Sequence, residues 1–211
     1  MNQVTAGRAE RKRQTRQALL DAALRLLEHQ SLSSISLREV TRAAGIVPAA
    51  FYRHFPDMDS LGVALVEASL EPLRTALRAV RADLADSEEI IRRSVLVLAA
   101  EVREHPELFR FVARERHGGV QPVRRAIQEQ LQRFADELAD DLLLGDVGSA
   151  ARLREWPPAD VRMLTGLVVN QMVLTAAALL DSPDPALLET AASQLRLVVL
   201  GARHWLDGVS G

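Results

Sequence analysis

Residues 36–56, SLREVTRAAGIVPAAFYRHFP, hold two helix starts and one helix stop in a short span. Ser36 and Glu39 have the spacing of a capping box. The Ser36 hydroxyl accepts from the Glu39 amide, the Glu39 side chain accepts from the Ser36 amide, and a helix begins. That helix carries Leu37, Val40 and Ala44 on one side and stops at Gly45, which tolerates the left-handed geometry of a helix C-terminus. Pro48 suits the first position of a following helix, where a missing amide costs nothing, and Pro56 helps to close it. Two short helices about a glycine turn make a helix-turn-helix, whose second helix enters the major groove of DNA. Within that second helix Phe51 and Phe55 are four residues apart and face a core, leaving Ala49, Ala50, Tyr52, Arg53 and His54 outward. The competing reading is a helical hairpin whose aromatic residues merely pack. An outward Tyr, Arg and His beside a basic arm fit phosphate and base contact better.

The rest of the chain agrees with a small head on a helical body. Its 211 residues are 48% hydrophobic and 26% charged, the balance of a globular protein, and it has no cysteine for disulfides or thiolate metal sites. The beginning is basic but lacks the apolar run of a secretory signal, so a cytoplasmic location is expected. The net charge of −2 conceals an asymmetry: the first 56 residues hold nine Arg or Lys against four Asp or Glu, and the remainder is acidic. From Gln14 onward Leu19, Leu20, Ala23, Leu24, Leu26 and Leu27 recur at helical steps, and strand signals are absent. A long connecting helix follows Asp57, with Pro72 as a kink or break within it. Further helices are expected around SEEIIRRSVLVLAAEVREH, ELFRFVARERHGG and PVRRAIQEQLQRFADELADDLLL, then at residues 159–180 and 185–205. Residues 145–158 are the least regular segment. The expected architecture is all-α, with a helix-turn-helix domain over residues 1–58 and a larger helical domain over residues 59–211. No HExxH, glycine-rich phosphate loop or GxSxG elbow occurs, and Arg114-Glu115-Arg116-His117 reads as a charged helix end, so no enzyme and no metal site is expected.

Residues 11–61, with TRQALLDAALRLL, SLREVTRAAGI, AAFYRHF and PDMDSL, resemble the DNA-binding domain of the TetR family of bacterial repressors. The resemblance implies that Tyr52 and His54 contact phosphates and that Ala49, Ala50 and Arg53 lie nearest the base edges. It completes the DNA-facing set with Arg11, Lys12 and Arg13 in the basic arm and with Ser36 and Pro48 at the two helix starts. Val47 and Ala50 stand where many members have Ser or Thr, so those hydroxyl contacts are missing. The resemblance also implies a homodimer through the last two helices, reading a palindromic double-stranded operator.

A finer resemblance lies in LFRFVARERHGG and its flanks, and in SLREVTRAAGIVPAAFYRHFPDMDSLG, which are similar to the FabR and DesT repressors of unsaturated fatty acid synthesis. It implies a repressor of lipid genes with no cofactor, whose effector is long-chain acyl-coenzyme A (acyl-CoA). Leu108, Phe109, Val112, Met163, Leu167, Asn170, Gln171 and Leu174 are then candidates to line an apolar pocket, with Arg116 among the cations at its mouth. Arg110, Arg114, Arg124 and Arg125 are further candidate cations. Residues 163–180, MLTGLVVNQMVLTAAALL, carry no charge. Asn170 and Gln171 at the middle, bounded by Arg162 and Asp181, favour a helix buried all round, against a partner subunit and a pocket, over a membrane span. Two alternatives stay open: a TetR-type repressor of efflux or catabolic genes with another apolar ligand, and a helical acyl-binding protein or enzyme that does not bind DNA.

Overall fold

The computed structural model describes residues 2–84, 86–144, 156–182, 184–202 and 205, and every regular element among them is helical. Helix α1 spans Asn2–Leu27. Among the described residues, its buried Leu19, Leu20, Ala22, Ala23 and Leu27 lie in its second half, while Arg8, Arg11, Lys12 and Arg13 in the first half are exposed. A 3-10 turn at Leu32–Ser34 leads to α2, Leu37–Ala43, and α3, Pro48–Phe51. Then come α4, Met58–Asp83; α5, Ser87–Glu104; α6, Pro106–Glu115; α7, Gln121–Leu144; α8, Pro158–Asp181; and α9, Pro185–Ala202. Of the segment expected to be irregular, residues 145–155 lie outside the described residues.

Local chemistry sets the boundaries near the head. Ser36 caps α2 through both bonds of the capping box: its Oγ accepts from the Glu39 amide at 3.3 Å, and Glu39 Oε2 accepts from the Ser36 amide at 2.8 Å. Hydrogen bonds from the Ser36 side chain and backbone hold the Glu39 carboxyl below the usual carboxylate range. The other end of α2 closes with the Gly45 amide donating to the Arg42 carbonyl and the Ile46 amide donating to the Thr41 carbonyl. This paired arrangement requires a left-handed residue just past the helix, and Gly45 has φ 68°, the single positive φ among the described residues. Pro48 occupies the first turn of α3, whose N-cap Val47 makes no side-chain capping bond. The Ser60 amide donates to Asp57 Oδ1 at 2.7 Å and seats α4. Pro72 does not break α4, which continues to Asp83 with the proline on its exposed side.

The chain forms two compact units, Met1–Ser69 with Arg110–Ile127, and Leu70–Phe109 with Gln128–Gly211. This differs from a boundary after residue 58, because α4, α6 and α7 are continuous helices that each pass from one unit to the other. The first unit buries Phe51, Phe111, Leu19, Leu61, Leu65 and Ile127 almost completely. In the second, α5, α8 and α9 pack on one another. One apolar cluster there joins Leu73, Leu77, Leu98, Val102, Phe109, Ala176 and Leu179, and another joins Ile91, Val95, Ala191 and Leu195.

Helix α8 is covered by its own chain on one side only. By length and composition it is apolar enough to cross a membrane. Within the chain, however, it is not buried all round. Val161, Leu164, Thr165, Thr175, Ala176 and Leu179 are buried, whereas Met163, Leu167 and Leu174 are exposed at 44%, 52% and 62%. A sequence apolar on every side carries no periodicity to mark which side the fold covers.

The turn at Gly45 gives a direct test. Gly45→Ala meets no neighbouring atom, yet it forces a side chain into the left-handed region, at a cost of about 1–2 kcal/mol. Denaturant unfolding of the full chain is expected to report that loss. Unchanged stability would mean that the turn relaxes to another conformation.

Candidate nucleic-acid interface

The helix-turn-helix lies wholly within the first unit, and its short second helix is anchored from below. Phe51 is 0% and Phe55 3% exposed, their ring centroids 5.7 Å apart. Beyond Phe51 the backbone continues as a series of turns, with the Arg53 amide donating to the Ala50 carbonyl and the His54 and Phe55 amides donating to the Phe51 carbonyl. With the phenyl rings facing inward, Tyr52 is 63% exposed and Ala49 and Arg53 are exposed. Ser36 and Pro48 are exposed as well. Ala50 and His54 are only half-buried, so the outward face is narrower than the five positions read from spacing. The physical reason is that the helix ends at Phe51, and the following turns tuck His54 beside the aromatic anchor.

Cations converge on this face. Burial holds the His54 pKa below the ordinary histidine range, and the nearby charges of Lys12, Arg16 and Arg53 lower it further. The imidazole therefore stays neutral near neutral pH. Its Nδ1 is enclosed with no hydrogen-bond partner among the described residues, which leaves a phosphate contact from this residue to Nε2. The Arg16 guanidinium lies over the Phe55 ring, 5.0 Å from its centroid, a cation–π arrangement that fixes its charge beside the recognition helix. Arg16 escaped the sequence reading, although it stands one helical turn beyond Lys12 on the same side of α1. Arg11 and Lys12 are exposed and make no ion pair among the described residues, whereas Arg13 pairs with Glu10, which diminishes it as a free contact.

The residues proposed for a ligand pocket divide between the two units. Leu108 and Phe109 belong to the second unit and pack in its cluster with Met172, Ala176 and Leu179. Val112 and Arg116 belong to the first. Met163, Leu167, Asn170 and Leu174 form one exposed stripe of α8, away from the side that meets Phe109's cluster, so they do not wall a tunnel with it. Gln171 is engaged within the chain, its Nε2 donating to Gln194 Oε1 of α9 at 2.5 Å. Among the candidate cations, Arg114 donates to three backbone carbonyls and Arg124 to that of Gly118, while Arg110 and Arg125 are exposed.

Comparison with known proteins places this head. Residues 19–65 match the family model described as bacterial regulatory proteins, tetR family. Among solved structures, the chain is similar to the fatty acid degradation regulator FadR from Bacillus halodurans, at 15% identity and a TM-score of 0.71 over 89% of this chain and 95% of that one. A tetR-family transcriptional regulator from Streptomyces coelicolor aligns at 20% identity and a TM-score of 0.65, over 93% and 84%. A candidate fatty acid metabolism regulator from Clostridium perfringens aligns at 13% and 0.65, over 87% and 96%. At such identities the likeness is one of fold. TetR-family regulators are DNA-binding transcription factors rather than enzymes. The family match covers the capping box, the Gly45 turn and the aromatic anchor together, so over residues 19–65 the chain is similar to the bacterial regulatory proteins of the tetR family.

Proposed function

We propose that this regulator is a homodimeric, ligand-responsive repressor that reads a palindromic operator and senses long-chain acyl-CoA, acting in the cytoplasm. The observation that carries the DNA-reading part is the exposed pair Tyr52 and Arg53, raised by the buried Phe51 and Phe55 and flanked by Lys12 and Arg16. Arg53 is suited to bridge guanine O6 and N7, and the Ala49 and Ala50 methyls to meet thymine methyls. Tyr52, His54 and the arm residues Arg11, Lys12 and Arg13 supply phosphate contacts, with Ser36 and Pro48 bringing helix starts to the backbone.

Dimerisation accounts for α8. Its exposed Met163, Leu167 and Leu174 join exposed Leu197 and Leu200 on α9. Five large apolar side chains left open on adjoining helices favour a covered face. A second copy supplies that cover and gives the two heads a two-fold relation suited to a palindrome. This assigns Met163, Leu167, Asn170 and Leu174 to the partner rather than to the ligand.

The acyl-sensing part is supported by the resemblance around residues 108–119 and by likeness of fold to a regulator of fatty acid degradation. The apolar cluster of the second unit around Leu108, Phe109 and Met172 is the region where an acyl chain would be accommodated. A ligand changes operator affinity only through different affinities for the two states. Such a chain would control lipid genes according to the balance of saturated and unsaturated acyl groups.

Three outcomes are expected. In anisotropy measurements Arg53→Ala loses about 1–3 kcal/mol of operator binding and relaxes base preference, whereas Lys12→Ala weakens binding to all sequences and lowers the salt slope by about 1. Equal losses on operator and random DNA for Arg53→Ala contradict base reading. In sedimentation at micromolar concentration the wild-type protein runs as a dimer and Leu167→Asp/Leu174→Asp as a monomer; a persistent dimer removes this face from the interface. Saturating palmitoyl-CoA and oleoyl-CoA leave the operator with different affinities, and identical affinities reject acyl sensing.

A further inference from the structure

The corner between α1 and the helix-turn-helix is held from outside. Helix α1 ends at Leu27, and its last carbonyls have no partner within the helix. Arg114, near the end of α6, donates from Nη1 to the Leu27 carbonyl at 2.7 Å and to the Gln30 carbonyl at 2.5 Å. Its Nη2 reaches the Glu28 carbonyl at 3.3 Å. A guanidinium at a helix C-terminus satisfies the orphan carbonyls and meets the negative end of the helix dipole.

The next residue holds the other side of the same corner. Glu115 is 1% exposed, and its Oε1 accepts from the Leu32 amide at 2.9 Å across 83 positions of sequence. A buried carboxylate is costly unless hydrogen-bonded, and this one accepts from the first residue of the 3-10 turn, whose N-cap Ser31 makes no side-chain capping bond to the backbone. Two glycines make room for the arrangement. A Cβ on Gly118 would overlap Glu115 Oε2 and lie 3.1 Å from Glu115 Cα; a Cβ on Gly62 would overlap Leu32 Cδ2 and lie 2.7 Å from Val123 Cγ2. All of these residues belong to one compact unit.

We propose that Arg114 and Glu115 are positioning residues for DNA reading: together they clamp the corner from Leu27 to Leu32 and so fix where α2 and the recognition helix α3 begin. The proposal rests on the DNA-reading assignment above. It also gives Arg114 a role other than a cation for a ligand's phosphates. Arg114 is itself exposed, so its removal leaves the core intact, and Glu115→Gln keeps an acceptor for the Leu32 amide whereas Glu115→Met does not.

The test is amide hydrogen exchange on the full chain, paired with anisotropy on the duplex that the wild-type protein selects from a random pool. In Arg114→Gln and Glu115→Met, exchange over residues 32–55 accelerates by about tenfold or more while α5, α8 and α9 keep wild-type rates. Affinity for the selected duplex falls by about tenfold, and Glu115→Gln stays near wild type. Wild-type exchange over residues 32–55 in Arg114→Gln, or equal acceleration throughout the chain, overturns the clamp. If the wild-type protein enriches no duplex, DNA reading fails, and the exchange rates alone still decide whether the corner is clamped.

Discussion

A helix of four residues does not hold itself. Nucleation is unfavourable and propagation over so short a length cannot repay it, so α3, Pro48–Phe51, exists because its surroundings impose it. Burial of Phe51 and Phe55 supplies the anchor. The left-handed Gly45 turn sets the angle at which the chain leaves α2, and the fixed φ of Pro48 starts the next helix in register. Arg53 points outward as a consequence of the two phenyl rings pointing inward. The function proposed for the chain therefore depends on a hydrophobic anchor no larger than two aromatic side chains.

A local excess of positive charge gathers beside that anchor. The chain as a whole is slightly acidic, with a net charge of −2, yet Lys12, Arg16 and Arg53 stand close enough to His54 to depress its pKa. Such a local excess attracts a phosphate backbone while the acidic remainder does not, which would orient the protein on the DNA proposed as its partner. Arg16 serves both levels, since its guanidinium packs on the Phe55 ring and carries its charge beside the recognition helix.

The parts of this arrangement that obey local rules were legible in the residues. Ser36 with Glu39, Gly45, and Pro48 each act over three or four positions, and the observed capping bonds and the φ of 68° match what those residues prescribe. Contacts between distant segments were not legible. Nothing near Arg114 or Glu115 indicates that they reach residues 27–32, more than 80 positions away, and they read as an ordinary charged helix end. Helix α8 was only half legible, for a different reason. Being apolar on all sides, it gives no sign of which face the fold buries, and the exposed stripe of Met163, Leu167 and Leu174 became visible only once the opposite face was seen packed. The division into units was hidden because three helices run through it unbroken.

The central claim is that a small, externally braced helix presents a sequence-reading surface to DNA, twice per molecule. Repeated selection of bound duplexes from a random pool by the full-length protein, followed by sequencing, tests it most directly. The account predicts convergence on an inverted repeat whose half-sites are separated by about one helical turn, roughly 10 base pairs, or a multiple of it. A bound pool with no enriched sequence, or one enriched in a single unrepeated site, would contradict it.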